Sequence, residues 1–368
     1  MRWLLALGWV LPACEKEPEP ISQEGCEDNE VCILAGTGEL GFNGEDLPAL
    51  ETRLASPSAV YEGPDGHTII VDYSNMLVRI IDDHGIALTM VGNGFHAYAE
   101  LGAAPQESPL ENPVDIGWNA QGNLCILPQH EGRVVCIEDN QVTAFAGTGE
   151  ISDTGDGGPA LEATMGYGSG MAFAEDGTLY VSDSTHSRIR RVNTDGSIET
   201  VLGTGEAGTG TLGFGPDTAL RFPERLALDE EHGRLLVADT YNHRILAMDT
   251  DTLDVTLVAG TGDLGFSGDG GPALDAQFYL PLGVAIGPNG GVLISDTRNH
   301  VIRYVDAAGN IDTVMGTGET TVQSDPDLPL QFPVVGPAGL AWTQDGDLLV
   351  AEQFGHRILT VRNFWDAL

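Results

Sequence analysis

The sequence predicts an all-β chain: six four-stranded antiparallel blades around an axis, with the two chain ends meeting in one blade. Three observations predict it. A Gly-x-Gly tripeptide recurs at Gly36, Gly92, Gly147, Gly203, Gly260 and Gly316, at intervals of 56, 55, 56, 57 and 56 residues, and a fixed period of this length marks a repeat architecture. Each full period holds four short apolar runs broken by turn residues. The last period holds only three, while a spare run stands before the first Gly-x-Gly.

The period closing at Gly316 shows the pattern. Its runs are 282–286, 292–295, 301–305 and 311–315, separated by 287–291, 296–300 and 306–310. Short runs of Val, Ile and Leu bounded by Gly, Pro, Asn and Asp read as strands. Four strands with three tight turns form an up-and-down sheet, and repeating that sheet around an axis gives a β-propeller. The one long connection per period, from 316 to about 337 in the last copy, is required by geometry. It spans the return from the outermost strand of one blade to the innermost of the next, three strand spacings or roughly 14 Å.

Sets of four runs begin near Ser58, Val114, Ser169, Glu224 and Leu282. A sixth begins near Ala338 with runs 339–343, 347–351 and 357–362 only. The missing strand is expected at 31–35, whose Val-Cys-Ile-Leu-Ala resembles 142–146 and 255–259. The N-terminal strand 31–35 should therefore complete the last blade, close the ring and leave no open edge.

The residues of the repeat carry a resemblance. Gly-x-Gly, then Gly268-Asp269-Gly270-Gly271-Pro272-Ala273, then Asp296-x-x-Asn299-His300 with Ile302-Arg303, is similar to the NHL-repeat propellers. The signature recurs at 155–160 with Asp183 and Arg188-Ile189, and at 239–245. It covers nearly everything from residue 30 onward. The second copy departs most, with Pro128-Gln129-His130-Glu131 in place of the usual Asp and Asn.

Residues 1–13 read as a secretion signal: Arg2, an apolar core from Trp3 to Val10, then Leu11-Pro12-Ala13-Cys14. Leu-x-Ala-Cys resembles a bacterial lipoprotein cleavage site, with Cys14 as the lipidated first residue. The apolar run is far below the ~20 residues of a spanning helix. Residues 14–29, acidic and proline-bearing, read as a solvated tether, and 30–368 as the propeller. The expected location is the bacterial envelope, on the periplasmic side or the cell surface. Removing Cys14 leaves four cysteines in an oxidising compartment. Cys125 and Cys136 lie roughly opposite on neighbouring strands, and Cys26 and Cys32 can close a small loop. Four cysteines permit three pairings, of which Cys26–Cys32 with Cys125–Cys136 is the expected one.

Lys and Arg total 16 against 55 Asp and Glu, a net charge of -39, and the only lysine is Lys16. Such a field repels nucleic acid and anionic lipid and favours cations or basic partners. The match of 36–41, 203–208 and 260–265 to Gly-x-Gly-x-x-Gly is not a dinucleotide site, because a strand and not a helix follows.

Two sets of aspartates should share one face. Asp46, Asp156 and Asp269 stand in the long connections, and Asp72, Asp183, Asp239 and Asp296 at the second-to-third-strand turns. Turn aspartates bond their own backbone, and nearby Arg79, Arg188, Arg244, Arg303 and Arg357 can pair with them. As a contact surface they fit a protein, glycan or small ligand. A Ca²⁺ site needs six to eight oxygens. Ca²⁺ is therefore the one cofactor kept in view, and no metal ligand set is assigned. His243, His300 and His356 recur at one repeat position, which points to packing or turn formation.

Residues expected to line the channel begin the innermost strands, and the charged ones are Asp115, Glu224 and Arg225. No histidine lies among them, which disfavours the channel zinc of propeller lyases resembling this family. The rival reading is a metal-assisted lyase or hydrolase at the channel mouth around Asp115 and Glu224. No His-Glu-x-x-His or Gly-x-Ser-x-Gly occurs. The leading reading is a monomeric, exported, lipid-anchored binding propeller acting through its loop face. Loops 95–112 and 209–222, which break the repeat, are the candidates for specificity.

Overall fold

In a computed structural model that describes residues 26–368, the chain forms six sheets of four antiparallel strands arranged as blades. Blade one holds Ala59–Glu62, Thr68–Asp72, Leu77–Ile81 and Ile86–Val91 from the axis outward. Blade two runs Pro113–Trp118 to Gln141–Ala146, blade three Gly168–Phe173 to Ile198–Leu202 and blade four Pro223–Asp229 to Val255–Ala259. Blade five runs Val284–Ile286 to Asn310–Met315. Blade six is Pro337–Trp342, Leu348–Glu352 and Arg357–Val361, and Val31–Ala35 supplies its outermost strand. That strand pairs Val31 with Val361 and Ala35 with Ile358, so the ring closes as expected. Residues 1–13, Cys14 and the tether as far as residue 25 lie outside the described residues.

The recurring glycine has a local cause. Near its end each outermost strand carries a register shift, as between Ala144 and Ala146 or between Ile33 and Ala35. A bulge bends the strand and strengthens its twist. The next residue is the first glycine of the tripeptide, with φ of 95° at Gly36 and 100° at Gly316. A Cβ there would stand 2.5 Å from the His356 carbonyl oxygen at Gly36, and 2.6 Å from that of His300 at Gly316. Positive φ and backbone contact together admit only glycine.

The long connections also protect the outer edges. Leu47–Pro48 pairs with the outermost strand of blade one, and Gly271–Pro272 with that of blade five. Single bridges Pro159–Ser197, Phe214–Asp254 and Asp327–Val31 do the same for blades three, four and six. In blade two Val142 exchanges backbone hydrogen bonds with Gly102 and Ala103, so each exposed ladder has a partner for part of its length. The core lies between neighbouring blades, as where Phe332 and Val334 pack with Leu293 and Leu359. Both disulfides are formed, Cys26–Cys32 and Cys125–Cys136, the second across paired strand residues. Among the described residues no helix is long and apolar enough to cross a membrane.

Candidate functional site: the loop face and the channel

In five of the six blades the acid that ends the second strand holds down a loop. Asp72 accepts the Ala55 amide at 2.7 Å, Asp183 that of Gly166 at 2.9 Å, Asp239 that of Arg221 at 2.8 Å and Asp296 that of Tyr279 at 2.8 Å. Glu352 does the same for Val335 in blade six. The second carboxylate oxygen takes the side-chain amide of Asn75, Asn242 or Asn299, each at 2.8 Å. Those amides also reach the loop carbonyls of Gly41, Gly208 and Gly265. In blade three His186 replaces the asparagine.

All four turn aspartates are buried. Burial raises Asp72 and Asp296 to about 7, against the pull of their donors. They form a layer beneath the loop face and are not presented on it. Of the loop set, Asp156 and Asp269 are exposed but committed. Asp156 meets Arg190 at 2.6 Å and Thr200, and Asp269 meets Arg303 at 2.6 Å and Thr313. In blade one the equivalent residue is Glu45, which takes Arg79 and Thr89. Asp46, its exposed neighbour, stands one place off.

Arginines occupy two alternative positions after the strand-end acid. In blades one, three and five Arg79, Arg190 and Arg303 are fully buried and reach the loop acid. In blades four and six that place is Leu246 or Leu359. The arginine sits two residues earlier, where Arg244 and Arg357 donate Nε to Asp239 and Glu352. Blade three has both, and its Arg188 turns to Asp153. The sequence reading grouped these arginines as one class and passed over Arg190. What distinguishes them is the partner: the later arginine reaches the loop acid Glu45, Asp156 or Asp269, and the earlier one the strand-end acid Asp239 or Glu352.

On the axis, Arg225 of blade four crosses to the opposite side of the ring. It donates to the Ser58 and Val114 carbonyls at 2.7 Å each and meets Asp115 at 2.6 Å. Asp115 further accepts the Tyr61 hydroxyl at 2.7 Å and the Met171 amide at 2.9 Å. Both of its oxygens are engaged and it is 1% exposed, so it is not free to join a metal-ligand set with Glu224. Burial raises Glu224 to about 7, with the Ser169 hydroxyl and Arg225 pulling the other way. Beyond this crossing the channel widens, away from the loop face, into a cavity of about 460 Å³ walled by Trp118, Phe173 and Trp342.

Exposed large apolar side chains concentrate on the long connections of the loop face. Tyr167, Phe222 and Tyr279 stand where connections enter the innermost strands, and Tyr241 in the turn beside them. Phe222 and Tyr241 have ring centroids 5.1 Å apart. Phe95, Tyr98 and Leu101 extend this surface on the divergent loop of blade two.

Residues 139–212 and 222–331 match the teneurin NHL domain family, half of the chain. The chain belongs to this family. It is 27% identical to human "NHL repeat-containing protein 2" over 328 residues, covering 78% of this chain and 45% of that protein. It is 35% identical to mouse Teneurin-3 over 261 residues, covering 62% of this chain and 10% of that one. The chain thus spans less than half the length of these curated relatives. Among solved structures it resembles an auxiliary nutrient binding protein from Bacteroides thetaiotaomicron, with TM-score 0.67, 15% identity and coverage of 90% and 75%. At that identity the likeness shows the propeller fold alone.

Proposed function

We propose that this NHL propeller is an exported, lipid-anchored binding module whose loop face takes a protein, glycan or small ligand. The observation that carries the reading is the aromatic rim of Tyr167, Phe222, Tyr241 and Tyr279 above a layer of committed charges. Aromatic residues are enriched at interfaces because each buries a large area at little cost in side-chain entropy. The acids beneath are consumed in holding the loops, which makes the rim rigid and limits the ordering cost of binding. The two disulfides are compatible with export, and the net charge of -39 favours partners with a basic or neutral surface.

Screening peptide and glycan arrays with the purified protein tests the module. A ligand lost on Phe222→Ala with Tyr241→Ala, but kept on Trp118→Ala at the opposite end, supports the loop face. The reverse pattern sinks it. Anchoring is tested separately: Cys14→Ser should release the protein from the membrane fraction and abolish fatty-acid labelling.

A further inference from the structure

Blade two is where the repeat rule fails, and its failure has a structure. The strand-end acid is Pro128 there, and its work passes to Glu131. That residue is fully buried and accepts the Ala99 amide at 3.0 Å. With the loop held from a position farther along, the turn residue His130 is released from any pinning role. Its ring packs edge-on against Tyr167, centroids 4.6 Å apart. The incoming connection keeps the parallel bridge that Ile151–Met165 and Leu264–Phe278 make in other blades, but places His96 in it, opposite Leu110, and Glu111 follows just before the innermost strand.

These departures converge. His96 Nε2 lies 2.8 Å from Glu111 Oε1, and His130 Nδ1 lies 3.6 Å from the same oxygen. The three donor atoms all fall within 4.8 Å of one another. Donors around a tetrahedral zinc stand about 3.3 Å apart, given metal–ligand distances of ~2.0–2.1 Å, so small side-chain rotations suffice. Five of the other seven histidines are occupied differently. His243, His300 and His356 accept backbone amides, while His186 and His232 cap Asp183 and Asp229.

We propose that His96, Glu111 and His130 form a binding site for a divalent first-row transition metal of the zinc, copper or nickel class. Two imidazoles and one carboxylate suit such an ion and not Ca²⁺, which takes oxygen ligands. Three protein donors leave a coordination position for an exogenous group. The His96 side chain is 53% exposed and that of Glu111 12%. The site therefore opens to solvent on the loop face while its carboxylate is held by the blade. The site adjoins the proposed docking surface at Tyr167, against which His130 packs, but its test does not require that surface to bind anything.

The test is titration of the purified full-length chain with zinc chloride, read by calorimetry and metal analysis, with Co²⁺ as a spectroscopic probe. One equivalent should bind, with Co²⁺ giving the visible absorption of a four- or five-coordinate nitrogen–oxygen site. His96→Ala, His130→Ala and Glu111→Gln should each weaken binding by at least about tenfold, while His84→Ala on a remote turn leaves it unchanged. Thermal melts of the metal-free variants check folding, and the exposed His96 makes His96→Ala the variant least able to disturb it. Absence of stoichiometric binding overturns the proposal. So does binding that survives all three substitutions, or that falls instead with Cys14→Ser.

Discussion

His356 accepts the backbone amide of Ser56 at Nδ1, 3.1 Å away, across the seam between the last blade and the first. The same bond joins His243 to Leu280 and His300 to Gly336. Each histidine is held at positive φ and ties its blade to the connection entering the next. An accepting Nδ1 must carry no proton, so the tie exists only in the neutral ring.

That requirement sets a pH dependence. Burial lowers all three histidines below the ordinary value, with Arg221 adding to the effect at His243 and Arg298 at His300. A histidine depressed in the folded state gives stability that is full above its unfolded value of about 6.5 and is lost as pH falls toward the folded one. Asp72 and Asp296, raised to about 7, act in the opposite sense and favour the folded state as pH falls below that value. The histidine contribution therefore shows as a difference between proteins. Glutamine at 243, 300 or 356 offers an acceptor that does not titrate. His356→Gln should melt at or below wild type at pH 8 and gain on it steadily toward pH 5. A gap that stays constant with pH refutes the tie.

The axial ion pair makes a second prediction. Removing one member of a buried, hydrogen-bonded pair leaves the other charge uncompensated, at a cost of about 3–5 kcal/mol. Arg225→Met and Asp115→Asn should each lower stability in denaturant melts by that order. Arg225→Met combined with Asp115→Asn should cost clearly less than the sum, since neither charge is then stranded. Strict additivity would mean that the 2.6 Å contact does not hold the blades together.

Much of this was legible in the sequence, and the remainder was hidden for identifiable reasons. The interval between glycines gave the blades, and the spare run at 31–35 gave the closure, because both depend on order along the chain. The direction of the aspartates did not. Asp239 reads equally well as a displayed ligand or a buried acceptor until the Arg221 amide is known to lie above it. Register was decisive at Glu45 also, where a one-place shift in a loop moved the recurring contact off Asp46. His96 and Glu111 stand on one long connection and His130 on a turn of the next blade, and the three meet only through the fold. Their one signal was that all three sit where the repeat breaks, in segments 95–112 and 128–131.

The two arginine positions predict a compensating pair. Arg303→Leu should leave the exposed Asp269 to solvent and free the carbonyl of Ser267 that Arg303 holds at 3.1 Å, at a cost of about 1–3 kcal/mol from the lost hydrogen bonds. Blades four and six keep a leucine at that place and an arginine two residues earlier. Val301→Arg should therefore restore part of the loss by donating to Asp296, as Arg244 does to Asp239 at 2.8 Å. The two positions have the same backbone setting, since Gly316 abuts the backbone of Val301 as Gly260 abuts that of Arg244. Failure of the second substitution to raise the melting temperature of the first would show that the two solutions are not interchangeable.

Reduction should act unevenly. Cys125–Cys136 joins central strands of blade two across a separation of 11 residues and is fully buried, whereas Cys26–Cys32 lies at the start of the closing strand. Loop entropy alone assigns each bond about 2–3 kcal/mol, yet their positions in the ring differ. Losing the outer bond loosens Asn29 and Val31, whose amides reach Arg362 and Asp327 at 2.8 and 2.9 Å, and so frees the seam that His356 also ties. Cys26→Ser with Cys32→Ser should therefore raise amide exchange in residues 29–35 and in the paired strand Arg357–Val361. Cys125→Ala with Cys136→Ala should instead lower global stability while the exchange pattern at the seam stays that of the parent. Equal effects on the seam from both pairs would mean that closure does not depend on the N-terminal loop, and that the strand 31–35 is held by its ladder alone.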